Sequence, residues 1–198
     1  MCLFVETLRI QDGKVWNIEY HNRRMNDTRA TLFGAFSVEE DIRYYFSDLS
    51  IYKERTKCRI LYREKVEKIE YLPYQLPCIE SLRLVINDDV DYRYKCIDRK
   101  SIDRLFALRG ETDDILIVKN GLLTDTSFCN VALYDGSNWV TPRNPLLKGT
   151  QRAFLLDRNR LREADISVMR IRDYKCISLF NAMISFGEIE IPVNRIFY

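Results

Sequence analysis

The sequence predicts an α+β fold. Short apolar runs separated by Gly, Asn and Asp turns occur in groups, the helical stretches stand apart from them, and no regular strand–helix–strand alternation runs along the chain. With 198 residues there is room for one large domain or two small ones. The stretch Leu72–Ile79, interrupted by Pro73 and Pro77, reads as a joint. The expected division is a small α+β domain over residues 1–76 and a larger β-rich domain over 77–198.

The elements follow in order. Phe4–Ile10 and Val15–Ile18 are rich in strand formers and flank Asp12-Gly13, which predicts a hairpin. Tyr20–Phe33 reads as an exposed helix stopped near Gly34. Ser37 and Glu40 have capping-box spacing, predicting a second helix from Val38 to about Leu49. Cys58–Tyr62 and Val66–Leu72 are two strands about a charged turn, and Ser81–Ile86 is a third. A helix is expected over Asp98–Leu108, stopped by Gly110. A meander follows: Ile115–Val118, the Asn120-Gly121 turn, Leu122–Thr124, Asn130–Tyr134, and Trp139–Thr141. Gly149-Thr150 opens a helix to about Arg160, and Ile177–Ile184 and Ile189–Phe197 are late strands.

Composition narrows the function classes. Thirty-one Lys and Arg oppose 29 Asp and Glu, interspersed, so the basic stripe of a nucleic-acid binder is missing. No apolar run approaches the length of a membrane span. The start, Met-Cys-Leu-Phe-Val-Glu, lacks the basic-then-apolar order of a signal peptide. Six cysteines at irregular spacing, none in a C-x-x-C pair, argue against zinc or a redox motif. Read as free thiols, they point to a reducing cytoplasm. P-loop, dinucleotide and nucleophile-elbow signatures are absent. His21 is the only histidine, and it is read as structural.

One ordered set of residues remains. Lys95 is followed by Asp113-Asp-Ile-Leu116, then Thr124-Asp-Thr-Ser-Phe-Cys-Asn130, then Val140-Thr-Pro142, then Leu146-Leu-Lys-Gly-Thr-Gln-Arg152. Nearer the start stand Val5-Glu-Thr-Leu-Arg9 and His21-Asn-Arg-Arg-Met25, and near the end Phe180-Asn-Ala-Met-Ile184. In this order the set resembles the class IV aminotransferases, fold-type IV pyridoxal-phosphate enzymes that include branched-chain and D-amino-acid aminotransferases and 4-amino-4-deoxychorismate lyases. The likeness covers nearly the whole chain and is weakest between Ser37 and Leu76. No single motif is specific; the ordered set is.

The resemblance implies pyridoxal 5′-phosphate in the cleft between two domains. Lys95 would be the catalytic amine that condenses with the cofactor's aldehyde and later shuttles a proton. Asp125 would hold the ring nitrogen protonated, in the place where the family carries a Glu one methylene longer. Asn130, five residues on, supports that register. Thr150 and Gln151, at a helix start, would bind the phosphate through backbone N–H groups. Arg24 matches the family's phosphate-binding arginine, with Arg23 its competitor if the register slips by one. Asn181 and Ala182 fall in a segment that lines the phosphate and substrate-carboxylate pocket of the lyases. No metal ligand set is implied.

Two reactions share this site. A lyase would eliminate pyruvate from 4-amino-4-deoxychorismate to leave 4-aminobenzoate, a step of folate synthesis. An aminotransferase would act on a branched-chain or D-amino acid. Phe180-Asn-Ala-Met leans to the lyase. The chain is compact and begins at the first family strand without the customary N-terminal hairpin, so a non-catalytic relative is a third reading. The resemblance further implies a small amino-compound substrate, a homodimer, and no nucleic-acid or membrane partner.

Overall fold

A computed structural model describes residues 2–35 and 39–198. The chain folds into two compact units, Met1–Leu76 with Tyr94–Asp98, and Pro77–Arg93 with Arg99–Tyr198. Residues 94–98, which the division at residue 76 groups with the C-terminal domain, therefore pack with the first unit.

The first unit is built on β1 (Phe4–Gln11), β2 (Lys14–Val15), α1 (Ile18–Phe33), β3 (Thr56–Tyr62) and β4 (Val66–Pro73). Among the described residues the strands form one antiparallel sheet in the order β2-β1-β3-β4. Asp12 and Gly13 both take positive φ, 50° and 71°, as the tight turn between β1 and β2 requires. Side chains alternate along a strand, so Phe4, Glu6, Leu8 and Ile10 share one face of β1. Phe4, Leu8 and Ile10 pack with Met25 of α1 and with Cys58, Ile60 and Tyr62 of β3. Glu6 is an acid in that apolar row. The helix starts two residues earlier than expected and ends at Gly34, whose φ of 67° turns the chain so that the next N–H, of Ala35, reaches back to the Arg29 carbonyl at 3.4 Å. It buries His21, Met25, Thr28 and Arg29, so it is half sunk in the core rather than exposed.

The helix expected over Val38–Leu49 is corrected. Among the described residues of that stretch only Ile42–Tyr45 is helical, as a 3-10 turn. The Asn22 side chain accepts from Ile42 N–H at 2.9 Å, and that of Asn26 accepts from Glu40 N–H at 2.9 Å and donates to its carbonyl at 2.8 Å. These α1 amides take up backbone groups that a helix would have used internally. Ser37, the proposed cap, lies outside the described residues.

The second unit contains β5 (Leu82–Ile86), α2 (Lys100–Phe106), β6 (Asp114–Lys119), β7 (Leu122–Thr126), β8 (Asn130–Tyr134), β9 (Trp139–Pro142), α3 (Thr150–Asp157), β10 (Arg162–Ala164), β11 (Cys176–Phe180), β12 (Ile189–Pro192) and β13 (Ile196–Phe197). Among the described residues these strands make a mixed sheet, β10-β9-β8-β7-β6-β5-β13, with β11 pairing β8 and β12. The expected meander is β6 to β9, turned at Asn120 and Gly121, with φ 52° and 74°. Among the described residues β5 and β6 are parallel with α2 between them in sequence, and β9 and β10 are parallel with α3 between them, so two crossovers sit inside an otherwise grouped arrangement. Val85, Ile102, Leu105, Ile115 and Ile117 form the core under α2, and Ala132, Leu155, Leu161 and Phe180 that under α3.

Several boundaries differ from expectation. The α2 helix begins at Lys100, and α3 ends at Asp157. The strand expected to reach Ile184 stops at Phe180, because the Asn181 side chain accepts from the N–H groups of Met183 and Ile184 and turns the chain. The last strand is broken into β12 and β13 by a 3-10 turn over Val193–Arg195. The reading of all cysteines as free is also corrected: Cys2 and Cys96 are paired, and Cys58, Cys78, Cys129 and Cys176 are free. Among the described residues no helix is long and apolar enough to cross a membrane.

Candidate active site

In the first unit, β1 organises two of the residues singled out from the sequence. Lys95 is half-buried in an irregular segment whose backbone runs antiparallel to the start of β1. Its carbonyl accepts from Val5 N–H at 2.9 Å, and Ile97 N–H donates to Leu3 O at 2.9 Å. One residue along β1, the carboxylate of Glu6 receives Arg24 Nε on one oxygen at 2.9 Å and Arg24 Nη2 on the other at 2.6 Å. His21 Nδ1 lies 2.6 Å from that second oxygen. His21 and Arg24 reach the same carboxylate because residues three apart share a helix face.

The charge states follow from burial and partners. Burial opposes ionisation of Glu6, but the Arg24 guanidinium and the His21 hydrogen bond outweigh it and hold its pKa down at about 2. Glu6 is therefore an acceptor at neutral pH, and His21 donates from Nδ1. Burial pushes the His21 pKa below its ordinary 6.5; the Glu6 bond and charge oppose this, while the charges of Arg24 and Lys95 add to it. Because His21 is the only histidine, its ring resonances give a clean reading. They are expected to show no titration midpoint at or above pH 6.5 by NMR; a midpoint there would contradict this arrangement. Arg23, the alternative register, instead lies over the Tyr20 ring at 5.6 Å.

In the second unit, Asp125 on β7 faces Asn130 on β8 across the sheet. Asn130 Nδ2 donates to Asp125 Oδ1 at 2.8 Å and to the Leu147 carbonyl at 2.8 Å. Leu147 N–H donates to Asp125 Oδ2 at 2.9 Å. Asn130 also lies directly on Gly149: a Cβ built there would overlap Asn130 Oδ1 and sit 3.1 Å from Asn130 Cγ. Gly149 is the N-cap of α3 and supplies no side-chain acceptor for the first-turn amides of that helix, where Thr150 is buried and Gln151 half-buried. The β7–β8 pair and the start of α3 are thus one interlocked piece. Burial raises the Asp125 pKa to about 6, against the opposing bonds from Leu147 and Asn130.

Asn181 and Ala182 sit in the turn after β11, both half-buried. Asn181 Nδ2 reaches the Phe128 carbonyl and Cys129 Sγ, both at 3.3 Å, which ties this turn to the β7–β8 loop. Its amide oxygen is the acceptor that ends β11, so its side chain builds the turn. Arg99 Nη2 donates to the Ser127 carbonyl at 2.7 Å, and Arg152 Nη2 donates to the Pro142 carbonyl and to Glu163, both at 2.7 Å. Among the described residues no group of three or more His, Cys, Asp or Glu side chains is placed to hold a metal ion.

The amino-transferase class IV family model matches residues 70–190 of this chain. The chain belongs to that family. This class IV chain is 37% identical over 182 residues to an uncharacterized protein of Haemophilus influenzae, covering 90% of the chain and 96% of the relative. Among solved structures it superposes with a TM-score of 0.88 on a provisionally named 4-amino-4-deoxychorismate lyase from Haemophilus somnus. The two are 29% identical, and the match covers 93% of this chain and 98% of the other. A hypothetical aminotransferase from Mycobacterium tuberculosis in a pyridoxal-phosphate-bound form shares the fold at a TM-score of 0.75 and 17% identity, over 93% of this chain and 79% of its own. The α+β class IV fold and the family membership are therefore established.

Glu6 is the residue that reading by motif left without a role. An acid in the middle of the apolar row Phe4, Leu8, Ile10 is itself the signal, since carboxylates are rarely buried unless paired. The same pairing gives His21 its partner.

Proposed function

We propose that this class IV chain binds pyridoxal 5′-phosphate and acts as a 4-amino-4-deoxychorismate lyase, eliminating pyruvate and leaving 4-aminobenzoate. The observation that carries the cofactor assignment is the interlock of Asp125, Asn130 and Gly149. It sets a buried carboxylate among neutral donors beside a helix start whose N-cap is glycine. A buried anion favours a cationic partner, and a protonated ring nitrogen is one. A helix N-terminus favours a phosphate. Lys95 brings the amine that such a cofactor needs.

In this reading each residue has one task. The cofactor, when bound, supplies an electron sink for the bond broken beside the substrate nitrogen. Asp125 would hold the ring nitrogen in its charged form. The first-turn amides of α3, at Thr150 and Gln151, together with the Arg24 guanidinium would bind the phosphate. Lys95 Nζ would hold the aldehyde carbon until the substrate amine displaces it, and as the freed amine would take the proton from the ring carbon that bears the substrate nitrogen. The enolpyruvyl group leaves and gains a proton as pyruvate, so the elimination needs no outside oxidant or reductant. Asn130 would act through Asp125 and Gly149, and Asn181 and Ala182 would shape the wall beside the β7–β8 loop.

The lyase is preferred over the aminotransferase for two reasons. The segment Phe180-Asn-Ala-Met is similar to that of the lyases, and the Haemophilus somnus structure, similar over almost the full length of both chains, carries the lyase name. A homodimer of this chain is the assembly we infer with it. The test is to load the protein with pyridoxal phosphate and supply 4-amino-4-deoxychorismate. Equal amounts of 4-aminobenzoate and pyruvate are expected, with turnover reduced by roughly 10³-fold or more in Lys95→Ala. Amino-group exchange between amino acids and oxo acids, without 4-aminobenzoate, would overturn the lyase assignment.

A further inference from the structure

The cluster on β1 carries an inference about a residue that no motif assigned. The Arg24 guanidinium presents its Nε–Nη2 edge to Glu6 in the paired geometry that fixes a guanidinium plane. Glu6 is fully buried, and its second oxygen also receives the His21 ring, itself fully buried. A carboxylate held between two donors on adjacent turns of α1 cannot swing, so Arg24 has one orientation rather than the many rotamers of an exposed arginine. The same strand anchors the Lys95 backbone through Val5. Arg24 is more exposed than either partner, with 16% of its side-chain surface accessible against none for Glu6 and His21. The guanidinium is therefore the outward end of the cluster and the carboxylate its buried support.

We propose that Glu6 is a positioning residue: with His21 as a brace, it sets the guanidinium of Arg24 in the plane in which that cation meets the phosphate of the cofactor. The proposal rests on the pyridoxal-phosphate reading and adds to it a residue that never touches the cofactor. Glu6 is ionised and His21 neutral, so Glu6 and Arg24 cancel in charge. The contribution of Arg24 to anion binding is then directional rather than a long-range field, and losing the orientation loses most of it.

The discriminating probe is a pair of ligands, pyridoxal phosphate and pyridoxal, bound to the otherwise intact chain and followed by absorbance. They differ only in the phosphate. In Glu6→Gln the carboxamide offers one acceptor where the fork needs two, and its NH2 faces donors. Affinity for pyridoxal phosphate is expected to fall by about tenfold, while affinity for pyridoxal changes by less than about twofold. In an Arg24→Met background, Glu6→Gln is expected to add no further loss, because Glu6 acts through Arg24. Glu6→Asp keeps the charge but is too short to hold both guanidinium nitrogens and His21 together. It is expected to show the same selective loss, smaller, and it serves if Glu6→Gln does not fold. Equal weakening of both ligands, or a full additional loss in the Arg24→Met background, would overturn the positioning role while leaving the cofactor reading standing. A wild-type chain that takes up neither ligand overturns the cofactor reading, and this role with it.

Discussion

Gly149→Ala is expected to destabilise the protein by about 2–4 kcal/mol and to abolish tight binding of pyridoxal phosphate. Backbone strain is not the reason, since Gly149 has φ −71° and ψ 147°, which alanine adopts freely. The reason is space. The added methyl would overlap Asn130 Oδ1. Asn130 cannot turn away cheaply, because its Nδ2 bonds both Asp125 and the Leu147 carbonyl. Either the start of α3 shifts, or Asn130 lets go and leaves Asp125 with one donor fewer. Both disturb the carboxylate and the helix start together. Adding Asn130→Ala to Gly149→Ala is expected to recover part of the stability, by making room, and none of the cofactor affinity. Urea midpoints and an absorbance titration separate the two readouts. Wild-type stability in Gly149→Ala would mean that Asn130 is not locked.

The second large effect belongs to Asp125. Its pKa is raised from 3.8 to about 6 by burial, so the folded state holds its proton more tightly than the unfolded chain does. A group shifted upward contributes stability that is fully present below pH 3.8 and is lost as pH rises through about 6. The contribution over that window is on the order of 3 kcal/mol, which is large for one side chain. Glu6 has the opposite sign: held at about 2 against 4.5 ordinarily, it adds stability above pH 4.5 that is lost as pH falls toward 2. The two windows overlap only between pH 3.8 and 4.5, and Glu6 is present in both proteins, so the difference in unfolding free energy between wild type and Asp125→Asn isolates Asp125. That difference is expected to change steeply between pH 4 and pH 6 in the cofactor-free protein. A flat difference would mean that Asp125 is better solvated than its burial implies.

The motifs made the site legible where they report backbone geometry. Asn120-Gly121 and Asp12-Gly13 name their turns because few residues accept positive φ at both positions, and Gly34 names the end of α1 for a related reason. The family order of Lys95, Asp125, Asn130 and Gly149 was readable as a string. What the string left out is the physical link among these residues. That Asn130 joins the acid to the helix start depends on an overlap across the sheet, and no spacing rule encodes it. The segment after α1 was misread because local spacing favoured a helix while two asparagines of α1, Asn22 and Asn26, claimed its backbone groups. Such tertiary hydrogen bonds override propensity and leave no periodic trace. Asn181 was legible as a residue and misplaced as an element: an asparagine after an apolar run ends the strand through its own side chain.

Lys95 is the lysine proposed to hold pyridoxal phosphate. Borohydride reduction of the protein loaded with the cofactor, followed by proteolysis and mass mapping, tests it most directly. The expected result is a single reduced adduct on Lys95, absent from Lys95→Ala and accompanied in the wild type by a visible absorbance band before reduction. An adduct on another lysine, or no adduct at all, would contradict it.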